Sequence, residues 1–482
     1  MPAIVLCTIN AKWIHPSLAL RLLKANLPVH LRKSGENSIV LEFALRQSLA
    51  EKITAILLEK PGILALSVSI WNHEATLELL AALEAALNPG DKPVIILGGP
   101  ELLFLSPKAD IFKFADYVIR GEGEVVFSEL CQAVMDEPVI AKKVYGKFIE
   151  SRDVDLKCIN SAYELYTSED LEHKLIYVES SRGCLFNCAF CQSAASALIR
   201  EFPLEKFLDN LDRLLQRMQL SRRKQQTIKF LDRSFNVRPE RAVKILEFCL
   251  LKTRETEKNS FQFHFEMVPL VFPGELKDIL ILFPPETLRL EIGIQSLNKK
   301  TCALINRTSN PKKELGILRY LRKKTNALLH VDLIAGLPGE GFESFGKGFD
   351  RLWITLSSAD NSAPFEIQPG ILKCLPGTLI HNMAESGIFP AVYNKKAPYE
   401  VISTDCLCTS SMEKIKNFAR FWEQIVNRRP FPELLALIVP SGKPVFNSFM
   451  DLSQKLLDKF GRNWGIPRKE LEETIIKIID PE

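Results

Sequence analysis

Ser181-Arg182-Gly183-Cys184-Leu185-Phe186-Asn187-Cys188-Ala189-Phe190-Cys191 sets three cysteines in a C-x-x-x-C-x-x-C spacing just after an apolar run, Leu175-Ile176-Tyr177-Val178. The run reads as a strand, and Gly183 and Asn187 mark the cysteine stretch as the turning loop that leaves it. Thiolates hold iron–sulfur clusters, and a [4Fe–4S] cube has four irons. Cys184, Cys188 and Cys191 therefore suffice to hold such a cube while one iron stays open to a substrate or cofactor, and an open metal position is a mark of catalysis. Two plainer readings stand beside this one. Free cysteines are among the most buried residues and pack as small apolar groups. Zinc favours paired C-x-x-C units and a fourth ligand, which neither His173 nor Cys158 is placed to give.

Outward from this loop the sequence keeps alternating. Strand-like runs at 175–179, 228–232, 261–266, 288–294, 329–334 and 365–368 are separated by helical stretches such as 203–219 and 238–251. Six βα units in this length predict a partial (β/α)6 barrel, with its site at the carboxyl ends of the strands. Upstream, apolar runs at 4–7, 39–43, 63–68, 94–97 and 117–119 alternate with helical stretches at 17–26 and 74–86 and with one opened by Gly121-Glu122-Gly123-Glu124. Wholly apolar strands between helices predict a parallel sheet covered on both faces. The chain thus reads as an α/β protein: a doubly wound, Rossmann-like sheet over 1–140, a linker over 141–172, the barrel over 173–385 and a mostly helical accessory region over 386–482. In that last region, 411–428 and 446–460 are amphipathic and no β alternation stands out.

Composition narrows the class. The 482 residues are 46% hydrophobic and 25% charged with a formal net charge of +4, ordinary values for a globular protein. Short basic runs, Ser221-Arg222-Arg223-Lys224 and Arg319 with Lys323 and Lys324, read as solvated helix ends and do not point to nucleic acid. Met1 leads directly into Ile4-Val5-Leu6, and no stretch of 18 apolar residues occurs, which predicts a cytoplasmic protein without a membrane segment. Eleven unevenly spaced cysteines fit a reducing compartment rather than a disulfide framework. Cys406 and Cys408 form a lone C-x-C, open to a structural role or to contact with an auxiliary metal.

The cysteine spacing, with Phe190 before the third cysteine, resembles that of the radical S-adenosylmethionine (SAM) superfamily. The resemblance implies that the open iron chelates the amino and carboxylate groups of SAM. Further matches span most of 175–380. Glu291-Ile292-Gly293-Ile294-Gln295-Ser296 resembles the fourth-strand stretch of several of these families, and alternation puts Glu291, Gly293 and Gln295 on one face. A carboxylate inside a barrel needs a partner, which the SAM ammonium or Arg307 would supply; pairing with an arginine merely to fill the barrel is the alternative. Val331-Asp332-Leu333-Ile334-Ala335-Gly336-Leu337-Pro338-Gly339-Glu340 is similar to the adenine-contacting pattern, with Ile334 as an apolar wall and Gly336 admitting a ring near the backbone. Residues 370–378 resemble the loop that ends the barrel. The glycine-rich motif ending in Glu that follows the second strand in many relatives is absent. Asp232 and Asn236 stand there as polar substitutes or as caps of the helix near Arg238.

A doubly wound domain ahead of such a barrel resembles the cobalamin-binding subgroup, and Asn10-Ala11-Lys12-Trp13-Ile14-His15-Pro16-Ser17 resembles the start of an uncharacterised branch with a helical C-terminal extension. The resemblance implies cobalamin between the domains, facing the cluster. Ser67, Ser69, Trp71, Asn72, Gly98, Gly99 and Gly121 follow strand ends and are the expected contacts, since ligands of such sheets lie there and glycine admits a bulky corrin or nucleotide tail. Trp71 fits packing as well as binding, and His73 reads as a helix-start residue. The Asp-x-His-x-x-Gly signature that supplies a lower-face histidine is missing, so His15 is not read as a cobalt ligand. A degenerate doubly wound domain that shields the barrel or binds a partner is the alternative.

Together these readings predict a radical SAM enzyme that cleaves SAM reductively to a 5′-deoxyadenosyl radical, fed by a one-electron reductant such as flavodoxin or ferredoxin. Methylation of an unactivated carbon in a small-molecule or peptide substrate is the expected outcome. Radical rearrangement or oxidation, with or without cobalamin, is the alternative within that class. An iron–sulfur electron carrier or sensor is the competing class, disfavoured because carriers use four protein ligands.

Overall fold

The computed structural model describes residues 3–32, 37–88, 90–195, 198–221, 223, 225–255, 260–358 and 363–480. Arg222 and Lys224 of the first basic run lie outside the described residues. The chain divides into two compact units, residues 1–180 with 200–229, and residues 181–199 with 230–482.

The first sheet is built from β1 (Ala3–Asn10), β2 (Ser38–Ala44), β3 (Pro61–Ser67), β4 (Val94–Gly98), β5 (Tyr117–Arg120) and β6 (Phe148–Glu150), in the order β2-β1-β3-β4-β5-β6 and parallel throughout. β1 shows why the run Ile4-Val5-Leu6-Cys7 is apolar without interruption. Val5, Cys7 and Ile9 enter one core with Leu64, Leu66 and Leu97, while Ile4 and Leu6 enter another with Ile63, Ala65 and Ile96. A strand buried on both faces cannot carry polar residues at every second position. Helix α1 (Leu18–Ala25) starts where Ser17 Oγ accepts the Leu20 N–H at 3.2 Å, and α2 (His73–Ala86) and α3 (Glu124–Asp136) return the chain between strands. His73 is the first residue of α2, as its sequence position suggests.

Residues 141–172 hold more structure than their weak periodicity suggests. β6 adds a sixth strand, a helix spans Pro138–Tyr145, and Thr167 with Asp170 forms a capping box for a short helix, Ser168–His173. Three- to eight-residue elements are too short for a period to show. Charge fastens this segment: Arg21 bonds Glu42 at 2.8 Å and Asp170 at 2.6 Å, and Lys174 bonds Asp170 at 2.8 Å, all buried.

The second sheet contains β7 (Ile176–Val178), β8 (Gln226–Phe230), β9 (Phe261–Met267), β10 (Leu288–Gln295), β11 (Leu328–Ala335) and β12 (Phe365–Ile371), in the order β12-β11-β10-β9-β8-β7, with β9 to β12 paired in parallel. All six strands coincide with the predicted runs. Unlike β1, these strands alternate. In β10, Leu288, Leu290, Ile292 and Ile294 are buried, while Arg289, Glu291, Gly293 and Gln295 share the other, less buried face. In-register neighbours continue that face, with Glu266 beside Glu291, Glu291 beside His330 and His330 beside Glu366.

Two helices of this unit bear on the site: α4 (Lys299–Leu304) and α5 (Phe342–Ser357). The C-terminal region is mostly helical, but it opens on a small antiparallel pair, β13 (Ala391–Tyr393) and β14 (Val401–Thr404), that the sequence does not reveal. Strands of three and four residues leave no legible alternation. Helices α6 (Thr409–Trp422) and α7 (Phe446–Phe460) then pack an aromatic core on α5, with Phe349 edge-on to Trp422 at 4.7 Å and Phe418 against Phe446 at 5.0 Å. Among the described residues no helix is long and apolar enough to cross a membrane.

Candidate active site

The cysteine loop leaves β7 and turns tightly, with the Cys191 N–H donating to the Cys188 carbonyl at 3.1 Å. Cys184 and Cys191 are half-buried and Cys188 is buried. Between the last two, Ala189 is held from both sides: its N–H donates to Ile305 O at 2.9 Å, and its carbonyl accepts the Ile380 N–H at 2.8 Å. Burial pushes the Cys188 thiol upward, the Arg307 guanidinium works against that rise, and the neighbouring Cys191 and Cys184 add to it. Arg307 Nη1 lies 3.9 Å from Cys188 Sγ, and its Nη2 donates to the Gly293 carbonyl. Among the described residues no three His, Cys, Asp or Glu groups are already drawn together as a metal-ligand set. What fits a [4Fe–4S] cluster is the donor chemistry: three thiols on one turning loop beside a cation able to stabilise thiolate.

The strand ends bring several of the expected residues to this loop. Asp232, after β8, accepts a hydrogen bond from Ser181 Oγ at 2.6 Å, which ties that end to the start of the cysteine loop. Arg233 pairs with Glu266 at 3.4 Å, and its guanidinium is held above its ordinary value chiefly by Glu266, with Cys191 and Glu291 adding to the effect. Glu291 pairs with His264 Nε2 at 2.9 Å. Sequence reading offered Glu291 the SAM ammonium or Arg307 as partners; the neighbour provided by the fold is a histidine one strand away. His264 was missed because it lies in the run Phe261-Gln262-Phe263-His264-Phe265, where it reads as core.

Gln295 departs from simple alternation. Pairing of β10 with β11 slips a residue between Gly293 and Gln295, Gln295 has φ +66°, and its amide folds over the face of Gly293. It returns to the Glu291 side through a bulge, a device that re-aims side chains at strand ends. Asn236 is neither a helix cap nor a free amide. Its Nδ2 donates to Val268 O at 3.0 Å and Val271 O at 2.5 Å, and its Oδ1 accepts the Val268 N–H at 2.7 Å. Phe190 and Ile334 are half-buried. Gly336, at φ +89°, has its open side filled: a Cβ there would stand 2.7 Å from Met412 Cε of α6.

Deeper on the same sheet face lies a charged cluster that sequence reading passed over. His330 Nδ1 is 2.7 Å from Glu366 and its Nε2 is 3.2 Å from Asp332, while Arg289 bonds Glu366 at 2.8 Å. Burial disfavours the imidazolium, but bonds to Asp332 and Glu366 outweigh it and push His330 up to about 9. Charges at alternate positions of β10 and β11 were the available signal.

At the ends of the first sheet, three of the predicted contacts, Asn72, Gly99 and Gly121, are engaged with the protein's own backbone. Asn72 is fully buried, donating to Ile9 O at 2.9 Å and Ser67 O at 3.2 Å and accepting the Ser69 N–H at 2.7 Å, so it knits the ends of β1 and β3 together. Gly99, at φ +110°, lies against the Val68 backbone, and a Cβ on Gly121, at φ +104°, would meet Ser151 O at 2.6 Å. A side chain at either position would meet backbone atoms at a positive φ, so the local chain path by itself calls for glycine at both. Gly98 and Ser67 are half-buried and Ser69 is buried. Trp71 remains exposed, its Nε1 donating to Ile9 O at 3.2 Å, and Trp13 is exposed as well. His15 Nδ1 is 2.7 Å from Tyr177 Oη, and burial with Lys12 and Lys229 holds its pKa down.

Cys406 and Cys408 are both exposed. Cys408 Sγ lies 3.2 Å from each of the Ser410 and Ser411 hydroxyls at the start of α6, which bring it down to about 7.

Residues 178–352 match the radical SAM superfamily. The chain carries a radical SAM domain. That domain contains all three loop cysteines and β8 to β11. Over 179 residues the chain is 28% identical to the uncharacterized methyltransferase PH0819 of Pyrococcus horikoshii, a match to 33% of this chain and 38% of that protein. In fold, the radical SAM domain and its flanking regions resemble the cobalamin-dependent S-adenosylmethionine radical enzyme OxsB with aqua-cobalamin and S-adenosylmethionine bound (TM-score 0.66, 16% identity, 99% of this chain and 78% of that one). They also resemble the radical S-adenosylmethionine methyltransferase TsrM of Kitasatospora setae with cobalamin and a [4Fe–4S] cluster bound (TM-score 0.58, 15% identity, 80% and 75%). At these identities the likeness establishes the shared α/β architecture.

Proposed function

We propose that the protein is a radical SAM enzyme that uses a [4Fe–4S] cluster on Cys184, Cys188 and Cys191 to cleave SAM reductively, works with cobalamin, and methylates an unactivated carbon. The observation that carries this reading is the three-thiol loop inside the radical SAM domain, set beside Arg307, Arg233, Glu266 and Glu291. The bound cluster and SAM supply the electron and the 5′-deoxyadenosyl radical; cobalamin supplies a methyl carrier. The chain's own residues orient and enclose. Arg307 stabilises the Cys188 thiolate, Glu291 and Gln295 present a carboxylate and an amide to SAM, and Ile334 offers an apolar wall to its adenine. The charged face of β10 to β12 favours a polar substrate, since an apolar one would strip water from Arg289, Asp332 and Glu366 without replacing its hydrogen bonds. A flavodoxin- or ferredoxin-like reductant and a cytoplasmic location complete the proposal.

Cobalamin would rest on the rim made by Trp13, Trp71 and the ends of β1 and β3. A cobalamin-free radical reaction is the second reading, favoured by the saturation of Asn72 and by the backbone packed against Gly99 and Gly121. Anaerobic reconstitution with iron, sulfide and cobalamin tests both. 5′-Deoxyadenosine formed from SAM under a low-potential reductant supports radical chemistry, and stoichiometric cobalamin retention selects between the two readings.

A further inference from the structure

Glu340 ends the Gly-Leu-Pro-Gly-Glu stretch after β11 and is only 2% exposed. A carboxyl group this deep needs compensation from hydrogen bonds. Its Oε1 accepts from Ser296 Oγ at 2.8 Å and from Ser344 Oγ at 3.2 Å. Each serine oxygen in turn accepts from Asn298: the backbone N–H reaches Ser296 Oγ at 3.0 Å, and Nδ2 reaches Ser344 Oγ at 3.0 Å. The four residues close a ring in which both hydroxyl protons end on Glu340 Oε1, while its Oε2 is buried without a hydrogen bond.

The ring sits where it can set the geometry of the site. Ser296 directly follows Gln295, the left-handed residue of the β10 bulge. Asn298 Oδ1 caps α4 through the Lys300 N–H at 3.0 Å. α4 runs to Ile305, whose carbonyl holds Ala189 of the cysteine loop, and then to Arg307 beside Cys188. A left-handed non-glycine residue persists only where its surroundings fix it, and this ring does so from the next residue along.

We propose that Glu340 is a positioning residue: through Ser296, Asn298 and Ser344 it holds the Gln295 bulge and the base of α4 in the arrangement that receives SAM. The proposal rests on the reading of this site as a SAM site. Burial holds the Glu340 carboxyl above its ordinary range against the two hydroxyl donors, and an uncharged acceptor keeps the ring intact. Glutamine should therefore replace it, whereas alanine leaves two buried hydroxyls without an acceptor.

The test uses full-length, anaerobically reconstituted wild type, Glu340→Gln, Glu340→Ala and a Ser296→Ala/Ser344→Ala double variant that keeps the carboxyl group. Iron content, SAM affinity by equilibrium dialysis and the SAM-induced change in the electron paramagnetic resonance (EPR) signal of the reduced cluster are measured. Glu340→Ala and the double variant should load iron as wild type does, bind SAM at least about tenfold more weakly and lose the SAM-induced spectral change, while Glu340→Gln stays within about threefold. Wild-type SAM affinity and spectral response in either ring-breaking variant overturn the proposal, the double variant deciding if Glu340→Ala does not fold. A Glu340→Gln as impaired as Glu340→Ala overturns it too. A wild-type cluster that does not respond to SAM overturns the SAM reading itself, and the proposal with it.

Discussion

His330 Nδ1 lies 2.7 Å from Glu366 Oε2, an ion pair between neighbouring parallel strands on the polar face of the second sheet. Burial alone would lower the histidine, but Asp332 and Glu366 lift it to about 9. A folded-state pKa above the unfolded one gives stability that is complete below about 6.5 and is lost as pH rises through about 9. Burial raises the Glu366 carboxyl, but the His330 bond and the Arg289 charge bring it below its ordinary value. Its share is present above about 4.5 and is lost on acidification. The thermal midpoint should therefore fall between pH 6.5 and 9, and His330→Gln should flatten that fall while lowering the midpoint at pH 6 by a few degrees, about 1–2 kcal/mol. An unchanged pH profile in His330→Gln, read by differential scanning calorimetry, would remove this pair from the account.

Asn236 should behave as a structural latch. Asn236→Ala removes three bonds to the Val268 and Val271 backbone and should cost about 2–3 kcal/mol in a denaturant titration. SAM affinity per folded molecule should stay near wild type. A stable variant with weakened SAM binding would return Asn236 to the ligand.

Gly99→Ala and Gly121→Ala test whether those glycines serve the chain path or face a cofactor. Each puts a side chain at positive φ against backbone atoms and should destabilise the protein by about 1–3 kcal/mol. Loss of cobalamin uptake at unchanged stability would show instead that they face the cofactor.

These cases mark what could be read in advance. The runs forming β1 to β5 and β7 to β12 were legible because burial dictates either an unbroken apolar run or a strict alternation over several residues. β6, β13 and β14 were not: no longer than β5 and β7, they lack the surrounding strand–helix alternation that marks those two. The cysteine loop was legible because its three cysteines are close in sequence. The Glu340 ring was not: Ser296 and Glu340 are 44 residues apart, and serine and asparagine at such separation carry no pattern. Gly99 and Gly121 were correctly placed at strand ends, yet which neighbour fills the space beside them depends on chain crossings that no single run encodes.

Cobalamin uptake should not depend on His15, whose Nδ1 is engaged with Tyr177 Oη at 2.7 Å. Reconstituted His15→Ala should retain cobalamin with an unaltered visible spectrum. A shifted cobalt spectrum would assign the imidazole to the metal after all.

The central claim is that Cys184, Cys188 and Cys191 together hold a cluster that cleaves SAM. Its most direct measurement is 5′-deoxyadenosine formation by anaerobically reconstituted wild type and by each single Cys→Ala variant, alongside iron and sulfide content. The account expects about four irons per chain and 5′-deoxyadenosine from wild type only, with each variant failing to hold a full cluster. A full cluster and 5′-deoxyadenosine in any one variant, or a loaded wild type that never cleaves SAM, would contradict it.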